Sequence, residues 1–326
     1  MALLKVSGIG GADDGNIILK NISFSQKKYQ NIAIAGETGS GKSTLLKIIA
    51  GLIQPDEGEV FLEDQKVTGP EDKLVAGHEH IAYLSQHFEL PKFLRVEQVL
   101  TYANALTEAS ATSLYEVCQI SHLLKRKTDQ LSGGEKQRIA ICRLLIASPR
   151  LLLLDEPFSH LDMVHKNVLK TVINEITRKL KISCMLVSHD PLDTLSWADK
   201  ILVMKEGTLI QKGAPERIYH EPVNEYVAGI FGKYNILGSD IMESFGIHHV
   251  SKNSKRPFLR PEDFKIGSKN KRSVSGKVLK VTFFGSYFEV QVSILKQVIL
   301  VRNFECSLVE GDEVFLSLAS HKVWFI

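Results

Sequence analysis

The chain has 326 residues, of which 44% are hydrophobic and 24% charged, with 10 prolines and a formal net charge of +3. This composition excludes disorder and collagen-like structure, and the length suits one large and one small domain, each with its own core. A charge of +3 is too weak to point to nucleic acid by itself.

Cys118, Cys142, Cys184 and Cys306 form no C-x-x-C pair, so free thiols in a reducing, cytoplasmic compartment are expected. The residues from Met1 to Val6 lack a basic stretch leading into a sustained apolar run, and neither a signal nor a transit peptide is expected. The most apolar stretch, Ile139 to Phe158, is interrupted by Arg143, Pro149, Arg150, Asp155 and Glu156. It falls short of the roughly 20 apolar residues that cross a bilayer, so membrane association is expected only through a partner.

In chain order, Ile17 to Phe24 and Asn31 to Ala35 read as strands, the second running into a glycine loop and an apolar helix from Thr44 to Leu52. A turn at Gln54 to Gly58 leads to a strand at Glu59 to Leu62, and Ile81 to Ser85 is another apolar strand. Helical periodicity between about 88 and 130 predicts a helical insert, with Val96, Val99, Leu100 and Ala103 on one face and Leu114, Val117 and Cys118 on another. A helix from Glu135 to Ala147, a strand at Leu151 to Leu154, a helix from Val164 to Lys179 and a strand at Ser183 to Val187 follow. Apolar strands without alternation, separated by helices, predict an α/β fold with a mainly parallel sheet covered on both faces. Beyond Phe231 a basic, turn-rich stretch that includes Lys252, Arg260, Lys271 and Arg272 reads as a solvated linker. It precedes period-two segments, with Phe288, Val290 and Val292 set against Tyr287, Glu289 and Gln291, then Val314, Leu316 and Leu318. These predict a small all-β barrel or sandwich, with domains at 1–235 and 236–326.

Gly36, Glu37, Thr38, Gly39, Ser40, Gly41, Lys42, Ser43 and Thr44 fit G-x-x-x-x-G-K-[ST] between a strand and a helix. Successive amides in such a loop face one concavity at a helix start, Lys42 reaches outer phosphates, and Ser43 offers a hydroxyl to Mg²⁺. A dinucleotide fingerprint is excluded because Thr44 stands where its third glycine belongs. The strand Leu151 to Leu154 delivers Asp155 and Glu156 to the ligand edge of the sheet, Asp155 suited to hold a metal and Glu156 to deprotonate an attacking water. Ser132, Gly133 and Gly134 open a second anion-binding helix start, which one nucleotide hardly needs; a natural resolution is that it caps the γ-phosphate held by another copy. Gln86 and His189 each follow a strand at the same edge, Gln86 placed to sense Mg²⁺ and water, His189 to hydrogen-bond the γ-phosphate. Alone, each is an ordinary surface amide or structural histidine. The pair His248-His249 lacks a third ligand at suitable spacing and reads as a surface loop.

Taken in order, these motifs resemble the ATP-binding subunit of an ATP-binding-cassette importer, a P-loop NTPase fold with a helical insert. The resemblance covers nearly the whole chain. It implies ATP and Mg²⁺ as cofactors, Glu156 as catalytic base with Gln86 and His189 beside it, and Ser132 to Gly134 acting on the opposite subunit's ATP. It also implies a dimer-contacting loop at Ser159, His160, Leu161 and Asp162. Its implied partners are a second copy, integral membrane permease subunits that dock on the Gln86 loop and insert, and, through the permease, a periplasmic or lipid-anchored solute-binding protein. Nucleic acid is not expected, and the location implied is the cytoplasmic face of the plasma membrane. Phe258 to Asp263, Gly311-Asp312 and Val323 to Phe325 are similar to the oligosaccharide-binding-like (TOBE) barrel of importers for polyamines, ferric iron, sugars, molybdate or sulfate. One departure stands out: Gly8 to Asn16 carries no aromatic ring to stack on adenine, leaving that contact to Ile9, to another segment, or nearly unmade. A soluble cassette ATPase acting on nucleic acid or ribosomes is the alternative; such proteins generally carry two cassettes or long coiled coils, and this chain shows neither.

Overall fold

The computed structural model describes residues 2–13, 16–159, 161–246, 255–270, 272–305, 307–319 and 323–326. His160, His248, His249, Lys252, Lys271 and Cys306 lie outside the described residues. The chain divides into two compact units, Met1–Pro215 and Glu216–Ile326, upstream of the boundary expected at 235.

In the first unit, a 6-stranded sheet runs in the order Thr208–Gly213, Lys200–Lys205, Asn31–Ala35, Ser183–Val187, Leu151–Asp155, Ile81–Leu84. Its neighbours are parallel except for the antiparallel hairpin at the Thr208–Gly213 edge. The strands Leu151–Asp155 and Ser183–Val187 are buried on both faces. Leu152, Leu154, Cys184 and Leu186 join the cluster under the helices Gly133–Leu145 and Met163–Lys179, while Leu151, Leu153, Met185 and Val187 join the one under the helix Lys42–Ile49. Strand period two thus feeds two cores, which is why these strands read as unbroken apolar runs; each fully buried Leu contributes about 1.5–3 kcal/mol.

A second sheet pairs Asn16–Lys27, Ala2–Asp13, Glu57–Leu62 and Gln65–Lys66, all antiparallel. Neither the strand Ala2–Asp13 nor the Lys200–Gly213 hairpin is among the elements expected above. Gly8, Gly10 and Gly11 dilute strand propensity in the former, and its pairing is broken by register shifts. The insert is helical at Val96–Thr101 and Glu108–Val117, burying Val96, Val99, Leu100, Leu114, Val117 and Cys118 as expected, with Ala103 partly covered.

In the second unit, a 5-stranded antiparallel sheet runs Phe264–Gly267, Glu313–Leu318, Val274–Phe283, Phe288–Ile294, Gln297–Asn303 and curls into a half-barrel. A 3-stranded sheet of Asn235–Ile236, Pro257–Leu259 and Trp324–Phe325 belongs to the same unit. Glu289, in the row set above against Phe288, Val290 and Val292, is 7% exposed and ion-paired with Lys233 at 2.8 Å. One expectation is corrected here. Arg260, assigned to a solvated linker, is fully buried: Nη1 donates to the carbonyls of Ala228, Gly232 and Lys233, and Nε and Nη2 donate to that of Tyr219. The guanidinium also lies 4.1 Å from the Tyr219 ring centroid. These bonds tie residues 219–233 to the C-terminal unit, which is the physical reason the division falls ahead of residue 235.

Candidate nucleotide site

The parallel register aligns Ala35 with Val203, Leu84 with Leu154, and Asp155 with Val187, so the strands' carboxyl ends share one edge. The segments that follow carry the glycine loop, Gln86, Glu156 and His189, which the sequence scatters over 150 residues.

The loop's shape depends on the absence of side chains at two positions. A Cβ on Gly36 would lie 2.3 Å from the Met204 carbonyl oxygen. Gly41 caps the helix at φ 93°, and a Cβ there would lie 2.7 Å from Leu19 Cδ2. Lys42, at 5% exposure, folds its ammonium back over the loop, donating to the carbonyls of Gly36 (2.9 Å) and Glu37 (2.6 Å) and to Ser40 Oγ (3.3 Å). Burial pulls its pKa below the ordinary lysine value, and the charges of Glu156, Asp155 and Glu37 work against that shift. Thr38 and Gly39 form the exposed tip of the loop, and Thr44 lies in the helix's first turn.

Beside the loop, Ser43 Oγ donates to Asp155 Oδ1 at 2.9 Å and the Tyr83 hydroxyl donates to Oδ2 at 2.9 Å. Asp155 is 3% exposed. Glu156 takes a left-handed φ of 48°, unusual for a residue with a side chain, and its amide donates to the Val187 carbonyl. Its Oε2 is a point of convergence: Gln86 Nε2 lies at 3.3 Å, Ser159 Oγ at 3.0 Å and His189 Nδ1 at 3.5 Å. These groups border a cleft of about 350 Å³ that also reaches Ser188, Asp190 and Lys166. A strained carboxylate at a cleft, approached by an amide, a hydroxyl and an imidazole, can accept a proton from a bound water.

Ser132, Gly133, Gly134 and Asp162 make a second cluster. Ser132 caps the helix Gly133–Leu145 in a reciprocal box: its Oγ accepts from the Glu135 amide and its own amide donates to Glu135 Oε2 at 2.8 Å. Burial works to raise the Glu135 carboxyl, but hydrogen bonds from Ser132 and the Arg126 charge outweigh it and hold the pKa below the ordinary range. Asp162 caps the helix Met163–Lys179 and binds the His165 amide at 2.9 Å and its ring Nδ1 at 2.7 Å. That same ring would lie 3.0 Å from a Cβ on Gly134, so His165 joins the two helix starts, whereas a Cβ on Gly133 would meet open space. Gln137, on the helix that Ser132 caps, donates Nε2 to the Pro157 carbonyl beside Glu156.

Sequence reasoning missed Tyr83, His165 and a charged brace under His189. In that brace Lys166 holds Asp190 and Asp193, Lys170 holds Asp193, and Ser188 Oγ donates to Asp193 Oδ2. Lys166 and Lys170, four residues apart on one helix, form a weakly unfavourable like-charge pair that nearby acids relieve, which was a faint signal in the sequence. Ile9, offered above as a contact for the base, is corrected: it is fully buried in the core beside Ile22, whereas Ile17 is 67% exposed.

The family model "ABC transporter" matches residues 19–159 and "TOBE domain" matches residues 258–326. The spermidine/putrescine import ATP-binding protein PotA of Clostridium acetobutylicum is 30% identical, over 97% of this chain and 94% of that protein. The sulfate/thiosulfate import ATP-binding protein CysA of Synechocystis is 32% identical, over 85% of this chain and 81% of its own. Among solved structures, the ATP-binding cassette MJ1267 in its ADP conformation matches with a TM-score of 0.60 at 25% identity, covering 71% of this chain and 98% of that one. The cassette cbiO1 of Clostridium perfringens matches at 0.58 and 27% identity, covering 67% and 90%. Import ATP-binding relatives along nearly the full length leave no support for the nucleic-acid alternative. The chain belongs to the ATP-binding subunits of ABC import systems that carry a C-terminal TOBE domain, ATPases coupled to transport.

Proposed function

We propose that this chain hydrolyses ATP at the cluster of Lys42, Ser43, Asp155 and Glu156, with Gln86 and His189 beside the base, and that closure and reopening of a homodimer drive solute import. The observation that carries this reading is the convergence of Gln86, Ser159 and His189 on one oxygen of Glu156. In the reaction Glu156 takes a proton from water as the water oxygen bonds to the γ-phosphorus and the bond to ADP breaks. The amides from Gly36 to Thr44 cradle the phosphates, with Lys42 leaving its loop carbonyls for the outer oxygens. Ser43 Oγ and Asp155 Oδ1 lie 2.9 Å apart and are hard oxygens, the donor type that fits Mg²⁺ when phosphate and water complete its shell. Bound there, Mg²⁺ would neutralise charge on the β- and γ-phosphates.

The open space around Gly133 and the exposed Ser132 suit a second copy's nucleotide, and Asp162 caps the next helix, tied to Gly134 through His165. We place the cassette in the first compact unit and the TOBE domain in the second. Among the described residues no helix is long and apolar enough to cross a membrane, which suits attachment at the cytoplasmic face of the plasma membrane through permease subunits. A solute-binding protein would act through the same permease. Detergent extraction followed by affinity purification tests the assignment: recovery with a polytopic membrane protein is expected, and recovery with ribosomes or nucleic acid after a high-salt wash would contradict it.

A further inference from the structure

Asp155 is held from two sides, and only one of the two holders belongs to a motif. Ser43 takes Oδ1 and Tyr83 takes Oδ2, each at 2.9 Å. Tyr83 pairs with Leu153 on the adjacent parallel strand, and Asp155 is two residues further along on the same face as Leu153. Two residues of strand span about 6.6 Å, a distance a tyrosine crosses and a serine or threonine hydroxyl does not.

Resting on the nucleotide-site reading above, we propose that Tyr83 is a positioning residue for hydrolysis: its hydroxyl fixes the rotation of the Asp155 carboxylate that keeps Oδ1 beside Ser43. A carboxylate with a single anchored oxygen turns about its Cβ–Cγ bond, and two donors on opposite oxygens remove that freedom. Because Asp155 is 3% exposed, bulk water is a poor substitute for the phenol. A tyrosine hydroxyl ordinarily titrates at about 10, so it is a proton donor throughout the neutral range. The phenol's hydrogen bond goes to Asp155 rather than to the nucleotide loop or Glu156, so Tyr83 acts through that carboxylate.

The test uses the full-length protein and the Tyr83→Phe variant, which removes only the hydroxyl. With Mn²⁺ as probe in the presence of ADP, electron paramagnetic resonance is expected to show about tenfold weaker metal binding, and kcat is expected to fall by about tenfold. ATP binding measured with the divalent metal chelated should stay within about twofold, because the loop and Lys42 are untouched. Unchanged Mn²⁺ binding and unchanged kcat would overturn the proposal even if the Tm fell, since a hydroxyl that merely satisfies a buried carboxylate predicts that pattern. If Tyr83→Phe fails to fold, Tyr83→Met is measured in the same way: weaker Mn²⁺ binding with lower kcat supports the positioning role, and no change in either overturns it. Lys42→Ala separates the levels: loss of ATP binding there, alongside a normal Tyr83→Phe, refutes the positioning role alone, whereas normal ATP binding by Lys42→Ala refutes the nucleotide-site reading beneath it.

Discussion

Replacing Glu156 by Gln is expected to lower steady-state phosphate release by at least about a hundredfold while ATP remains bound and dimers accumulate. The substitution keeps size and hydrogen-bonding reach but removes the carboxylate oxygen on which Gln86, Ser159 and His189 converge. Lys42, Ser43 and the glycine loop, which would hold the phosphates, do not depend on that charge for their hydrogen bonds. Binding and turnover therefore separate, and a dimer that closes on ATP has no route to reopen. Phosphate release, retained nucleotide and size-exclusion elution, measured on one preparation, check the three parts together. Turnover within a few-fold of the parent would remove Glu156 as base.

The largest effect on stability is expected at Arg260, far in sequence from the nucleotide motifs. Arg260→Ala strips donors from four backbone carbonyls, those of Tyr219, Ala228, Gly232 and Lys233, and leaves a void between the rings of Tyr219 and Phe258. Orphaned buried acceptors and a cavity together cost about 3 kcal/mol or more. For a unit of this size that lowers its Tm by more than about 10 °C. Arg260→Lys should rescue little, since one ammonium cannot serve acceptors spread around a planar fork. Differential scanning calorimetry reads the shift, and ATP binding by the first unit should persist. A Tm change under about 3 °C would show that these carbonyls find other partners.

The nucleotide edge was legible because each of its motifs couples a backbone demand to a side chain. A glycine loop between strand and helix, or two acids after a fully apolar strand, leaves few other folds open. Tyr83 was hidden because a tyrosine in an apolar strand reads as core, and its partner lies 72 residues away. Arg260 was misread for a related reason: sequence shows its charge but not the four carbonyls that surround it. Ala2–Asp13 escaped because its glycines argue against a strand, and only pairing with Asn16–Lys27 and Glu57–Leu62 makes it one. In each case a contact distant along the chain outweighed local propensity. Ile9 shows the reverse limit, since an apolar residue near the expected base site is there to fill the core.

For the proposed motor to work, a nucleotide held by one protomer must be sealed by Ser132 to Gly134 of its twin. Thr38 is exposed at the loop tip and a Cβ at Gly133 meets nothing, so cysteines at both positions are sterically tolerated, while Cys118, Cys142 and Cys184 are buried. With Cys306→Ser and Glu156→Gln in the same chain, Thr38→Cys and Gly133→Cys should crosslink between protomers when ATP is present and hardly at all with ADP. Equal crosslinking in both states, or none in either, would contradict it.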